Sequence, residues 1–161
     1  MGSEQYVGRT FDVLAFTGAK PAGNVLLTQT LFGSGNSGSV CTGIQKMAQR
    51  WLLEFSTIRN SMPWHLRNRG TNFMLQVQKG TLKTEADVQA AYVAAAIQVR
   101  QNLTNEDTGN EPDDERFDRS KLNGIVIGDG QLHLHVTLYS VAGTDYTIIL
   151  PIQTTPANLV I

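Results

Sequence analysis

Asp113–Pro151 reads DDERFDRSKLNGIVIGDGQLHLHVTLYSVAGTDYTIILP, and its central part decides the fold. From Leu132 to Tyr139 apolar and polar residues alternate strictly. Leu132, Leu134, Val136 and Leu138 fall on one side of an extended chain, and His133, His135, Thr137 and Tyr139 on the other. Successive side chains of a strand point to opposite faces, so this is the pattern of a half-buried strand. Upstream, Ile125-Val126-Ile127 runs into Gly128-Asp129-Gly130, a turn signal. Downstream, Ala142-Gly143-Thr144-Asp145 is a second turn, followed by the β-branched run Tyr146–Ile152. Two turns at this spacing predict a three-stranded antiparallel meander over Gly124–Ile152. Its apolar face needs a cover, which only the helical material upstream can supply.

That helical material begins at Thr42. Thr42-Gly43-Ile44-Gln45 has the form of a capping box. Ile44, Met47, Ala48, Trp51, Leu52 and Phe55 then follow at helical spacing, with Lys46, Gln49, Arg50 and Glu54 expected on the wet side. Ser56–Gly70, broken by Pro63, reads as a loop. A short helix is expected over Phe73–Lys79, closed by Gly80. A second capping-box start, Thr84-Glu85-Ala86-Asp87, opens a helix to about Leu103 with Val88, Tyr92, Ala95, Val99 and Leu103 on one side. Asn105–Asp114 is an acidic loop. Residues 1–40 are glycine-rich. Phe11–Phe16 and Val25–Phe32 are expected to pair across a turn at Gly18–Gly23, and Gly33–Ser39 to form a flexible loop. The expected class is therefore α+β, with helices packed on a small C-terminal antiparallel meander. Residues 1–40 would form an N-terminal arm or β-hairpin and residues 41–161 the domain proper.

The 161 residues carry a formal charge of −1 and are 41% hydrophobic, a composition suited to one folded domain. No apolar run is long enough for a membrane span and no secretory leader is expected. Tyr6 stands where a myristoylation signal needs Ser or Thr. The single cysteine, Cys41, rules out an internal disulfide framework and reads as a small hydrophobe near a helix start rather than a catalytic thiol. The charges are unevenly spread. Lys46–Lys83 holds seven basic residues against Glu54 alone, and Glu106–Asp118 holds seven acids against Arg116 alone. Such runs are solvated surfaces, complementary halves of one domain, or the poles of a subunit that docks head to tail. The basic run lacks a zinc-finger, homeodomain or RNA-sheet signature, so no nucleic-acid partner is expected.

Catalytic signals are weak. His133 and His135, two apart on a strand, share a face as a metal pair would, but the only other histidine is His65 in a distant loop. Polar residues on the outer face of a sheet are the plainer reading, and no metal or other cofactor is expected. The acids could supply a carboxylate pair for glycan hydrolysis, yet nothing isolates one of them in an apolar pocket. The phosphate-loop, GxSxG, HExxH and calcium-loop patterns are all absent. An enzyme is not expected.

The order of these features resembles a known family. The helix with Gln45-Lys46-Met47-Ala48-Gln49-Arg50-Trp51-Leu52-Leu53 leads to a loop with Ser56-Thr57, Asn60-Ser61 and Arg69-Gly70-Thr71. A long helix leads to Asp114-Glu115-Arg116, and the alternating strand ends in Ser140-Val141-Ala142-Gly143-Thr144. Over roughly residues 42–152 this is similar to the small baseplate wedge proteins of contractile phage tails, the sheath-initiator family also found in type VI secretion machines. Some members of that family were labelled lysozyme-like. A Glu-Pro-Arg motif precedes the C-terminal sheet in the family and docks on the helical core bundle of the wedge. Here the acid and the arginine are present as Glu115 and Arg116 beside Asp114, the proline is not, and Glu111-Pro112 is a second candidate.

The resemblance implies a structural subunit of the virion tail baseplate, assembled in the host bacterial cytoplasm. Its partners would be other wedge subunits and the tail sheath protein, with the tail tube or hub as a further candidate and no membrane. Glu115, Arg116 and Asp114 would dock on a partner. In the family the C-terminal sheet mimics a domain of the sheath subunit, so that sheath strands add to it. Tyr146-Thr147-Ile148-Ile149-Leu150, without a charged side chain, would then be the strand that sheath contacts. The competing readings are a baseplate hydrolase, lysozyme-like or metal-dependent, and another small tail or head completion protein.

Overall fold

The computed structural model describes residues 8–13, 16–17, 28–29, 40–61, 63, 68–128 and 130–154. Four two-residue strands come first: β1 (Asp12–Val13), β2 (Phe16–Thr17), β3 (Thr28–Gln29) and β4 (Val40–Cys41). They are followed by α1 (Gly43–Ser56), α2 (Phe73–Gln78), α3 (Glu85–Glu106), β5 (Phe117–Gly128), β6 (Gln131–Ser140) and β7 (Asp145–Gln153). The chain is an α+β fold, as its sequence pattern predicts. Of the expected N-terminal hairpin, β2 pairs antiparallel with β3; Asp12 and Val13, expected to pair within Val25–Phe32, pair instead with Cys41 and Val40. The turn 18–23, the loop 33–39, His65 and residues 156–161 lie outside the described residues.

The meander is antiparallel in the order β5-β6-β7. Leu132, Leu134, Val136 and Leu138 of β6 are buried on one face, and Tyr146, Ile148, Leu150 and Ile152 of β7 join them. β5 is longer than expected and begins at Phe117 rather than near Gly124. The reason is visible in its pairing. The register shifts between Phe117 and Arg119 and again between Leu122 and Gly124, so two extra residues break the period of two that would betray a strand. Pro151 lies inside β7, opposite His133.

Two helices cover the apolar face. α1 packs on β6 and β7, and α3 packs on β5 and against α1. Trp51 stacks on Phe55 with ring centroids 4.8 Å apart, and Phe55 also meets Phe73 at 5.0 Å and Tyr92 at 5.8 Å. These rings and the leucines of β6 form one cluster. The capping box at Thr84 forms: its side chain accepts from Asp87 N–H at 3.2 Å, and Asp87 accepts from Thr84 N–H at 3.0 Å. The one at Thr42 does not; Thr42 makes no side-chain cap bond to its own helix.

Trp51 has no exposed surface, so Trp51→Ala should cost about 3–5 kcal/mol of unfolding free energy in urea titration. An unchanged melting temperature would mean that this ring does not hold helix and sheet together.

Candidate functional site

α1 is the helix about which the polar groups of the molecule are arranged. Lys46, Gln49 and Glu54, expected on its wet side, are buried. Their burial has a physical cause. That face is covered by residues 8–13 and the acidic turn before β5 at one end, and by residues 68–71 at the other, and each cover binds the polar groups beneath it.

At the first end stands Glu115. Its side chain is 0% exposed. One carboxylate oxygen accepts from Thr42 Oγ at 2.8 Å and from the Gly43 backbone N–H at 3.3 Å. The other accepts from Thr10 Oγ and from Lys46 Nζ, the latter at 3.3 Å. Lys46 Nζ also donates to Thr10 Oγ. A carboxylate from a distant turn thus does what the Thr42 capping box would have done, and places negative charge at the N-terminus of a helix with no acid in its first turn. Beside it, Asp114 accepts from Arg9 at 2.6 Å. The ion pair crosses directly over Gly43. A Cβ there would meet Arg9 Nη1 and Asp114 Oδ2 at 2.9 Å, and the φ of 61° already favours glycine.

The turn that carries these acids is held from the sheet side. Val141 N–H donates to Arg116 O at 2.9 Å and Ala142 N–H to Asp113 O at 3.1 Å, so the β6–β7 turn sets its position. Arg116 donates to Asp107 at 2.6 Å and Asp113 at 3.0 Å. Of the three residues expected to dock on a partner, Glu115 is therefore directed inward with its oxygens engaged. Asp114 and Arg116 keep about a quarter of their side-chain surface, at 25% and 28%.

Glu54, which the sequence reading did not single out, is the counterpart at the other end of α1. It accepts from Arg69 Nε at 2.7 Å, from Gly70 N–H at 2.7 Å and from Asn102 Nδ2. Gly70 has φ 85°, and a Cβ on it would run into Thr57 O. Its lone position in a basic run was the available signal, but burial of a charge is not written in local sequence. The two charge runs turn out to be complementary parts of one domain: Arg50 pairs with Glu106 and Glu111, Arg69 with Glu106, and Lys46 with Glu115.

Burial alone would raise the Glu115 carboxyl. The hydrogen bonds from Thr10, Thr42, Gly43 N–H and Lys46 outweigh it and hold the pKa below the ordinary 4.5. Hydrogen bonds from Arg116 and Gly109 N–H lower Asp107 likewise. Neither acid is poised to give up a proton near neutrality. Gly43, on which Glu115 docks, and Glu54 are about eleven residues apart along α1, on the order of 15 Å by helical rise, which is beyond the span of a hydrolytic carboxylate pair.

His133 and His135 lie on the outer sheet face, with His133 Nε2 3.0 Å from Gln131 Oε1. Among the described residues no three His, Cys, Asp or Glu side chains gather as metal ligands would. On the same face Arg119 lies 4.5 Å from the Tyr139 ring, and Thr137 is 2.7 Å from Asn123 and 2.9 Å from Thr147.

The strand expected to contact sheath, β7, is an edge: among the described residues nothing pairs with its far side. Ser140 N–H donates to Thr144 O and Thr154 N–H to Gly130 O, which fixes the alternation of the ladder. Tyr146, Ile148, Leu150 and Ile152 turn their backbone groups to β6; Thr147, Ile149 and Gln153 turn theirs outward. Pro151 also faces outward, where its missing N–H costs the sheet nothing. Comparison with known proteins returned no matching family model, no matching curated protein and no matching solved structure.

A carboxylate with a lowered folded pKa stabilises above its unfolded value and loses that contribution as pH falls through the folded one. Unfolding free energy should therefore be level above about pH 5 and decline below it. Glu115→Gln should lower the level by about 3 kcal/mol by leaving Lys46 buried without its charge partner, and should reduce the acid slope. An unaltered slope in the variant would remove Glu115 from the acid response.

Proposed function

We propose that the chain is a structural subunit of a contractile tail baseplate that starts sheath polymerisation by accepting strands on its C-terminal sheet. The reading is supported by the order and spacing of the sequence motifs and carried by one structural observation, the open β7 edge. Among the described residues nothing pairs with the outward N–H and C=O groups of Thr147 and Ile149, and no charged side chain follows Asp145 in the strand. Edge strands are templates for another chain, and proteins that stay alone blunt them. Pro151 blunts only the last part of β7, so a strand would be received along residues 145–149. Added strands take affinity from main-chain bonds and register from alternate side chains. Wedge subunits would meet the subunit elsewhere, with Asp114 and Arg116 as partly exposed members of the acidic turn. The proposed site is in a virion tail, and no helix among the described residues is long and apolar enough to cross a membrane.

No observation favours the hydrolase reading. The two buried carboxylates are each engaged by several donors and stand at opposite ends of α1.

The ladder makes the test sharp. Ile149→Pro removes an outward N–H and leaves the β6–β7 bonds intact, whereas Ile148→Pro removes an inward one at a residue with 0% exposure. Ile149→Pro should fold with a near-normal melting temperature, yet electron microscopy of tails carrying it should show baseplates and tubes without attached sheath. Ile148→Pro should fail to fold. Normally sheathed tails from a folded Ile149→Pro protein would mean that β7 is not the template.

A further inference from the structure

The opposite edge of the sheet has a separate unmet requirement. Neighbouring strands lie about 4.8 Å apart, so three of them cover roughly 14 Å. Two helices packed side by side need nearly 20 Å, because their axes lie about 8–10 Å apart and each has its own width. Here α1 lies under β6 and β7 and α3 under β5, so the sheet ends before α3 does. The uncovered part of α3 is apolar. Between Asp87 and Arg100 it has no charged residue. Val88, Ala91, Tyr92, Ala95 and Val99 face the core, but Val93 and Ile97, on the other side, are 51% and 54% exposed. A helix apolar on both sides belongs between two layers.

A groove of about 350 Å³ runs there, between Tyr92, Val93, Ala96 and Ile97 of α3 and Ser120 and Leu122 of β5. Its sheet wall is an open edge, since among the described residues nothing pairs with the far side of β5. Because the even-numbered residues of β6 bond β7, the odd-numbered ones bond β5 through Arg119, Lys121, Gly124 and Val126. Ser120, Leu122, Ile125 and Ile127 therefore turn N–H and C=O outward. Their side chains are on the inner face, so residues paired opposite them would point over Val93 and Ile97.

We infer that the α3–β5 groove receives a short extended segment of a different protein, with apolar residues at alternate positions and acids between them, as a fourth strand. The apolar residues would cover Val93 and Ile97. The acids are called for by the rim, where Arg100, Arg119 and Lys121 stand against Asp118 alone, which bridges the first two. The same cations argue against a second copy, because a two-fold pairing of β5 with itself would set Arg119 and Lys121 of both chains along one seam. The bulges at Asp118 and Asn123 keep the receptive stretch short. This surface lies on the other side of the sheet from β7 and does not rest on the tail reading.

The test uses the full chain and a synthetic peptide of about nine residues, Val alternating with Glu or Thr. Amide exchange followed by NMR should slow at Leu122, Ile125 and Ile127. Val93→Asp/Ile97→Asp, whose side chains are half in water, should keep the melting temperature and weaken binding at least about tenfold, and a peptide with Lys for Glu should bind about tenfold less tightly. The inference is overturned by unchanged exchange at these amides, by protection at Thr147 and Ile149 instead, or by amides already protected in the free chain. A concentration-dependent dimer lost in the double variant would overturn it too, by making the occupant a second copy.

Discussion

Glu115 brings together segments that nothing else in the local sequence would join. Its two oxygens engage the start of α1, a lysine one turn into that helix and a threonine from the N-terminal segment. A buried carboxylate tolerates such a place only when its lone pairs are occupied and its charge is answered. Here the occupancy is complete enough to lower its pKa despite burial. The consequence is directional. The turn carrying Glu115 is fixed by β6–β7 on one side and fixes α1 on the other, so helix and sheet are registered by polar contacts as well as by the stacked rings of Trp51 and Phe55. Apolar packing holds the layers together, but it is non-directional and would accept small slides. The hydrogen-bonded charge sets where the layers stop.

Glu54 repeats the device at the far end of the helix. Arg69 and Gly70 bring a loop down on it, and Asn102 brings α3. The parallel bridge between Ile58 and Thr71, with Thr71 Oγ donating to Phe55 O at 2.8 Å, closes the loop behind it. Two anchored ends leave α1 little freedom to rotate. An axle of this kind fixes the direction in which the sheet edges are presented.

What the sequence disclosed follows from which forces are local. The alternation of Leu132–Tyr139 and the stripe of Met47, Trp51 and Phe55 record one-sided burial, and both elements formed where the pattern put them. The Thr84 box formed because its partner is three residues away. The Thr42 box has the same local form, but Glu115, more than seventy residues on in the chain, competes for that helix end and wins by bringing full charge. Lys46 and Glu54 were misplaced for the same reason: a periodicity argument assigns charged residues to water, and only the tertiary structure brings the opposite charges that bury them. The first half of β5 escaped because its bulges shift the alternation out of phase. Of the proposed contact surface, the identity of β7 was legible, but which of its residues face outward was not. That distinction depends on pairing with β6, and it separates Ile148 from Ile149.

The two sheet edges left unpaired among the described residues differ in kind, and the difference bears on how well one copy's β7 would match another's β5. β7 offers outward groups at Thr147 and Ile149, a proline gap at Pro151 and almost no charge. β5 offers outward groups interrupted by bulges, beneath three cations. Head-to-tail addition of one copy's β7 to another's β5 would extend the sheet without closing it, the geometry that makes open filaments. For that to happen the nearly neutral β7 edge would have to cover Arg119 and Lys121 without supplying acids beyond Asp145, and a straight strand would have to follow one that shifts register at Asp118 and Asn123. Both mismatches raise the cost of self-association while leaving each edge open to a strand of suitable chemistry. Charge and bulges on one edge and a single proline on the other therefore make the two edges a poor match for each other.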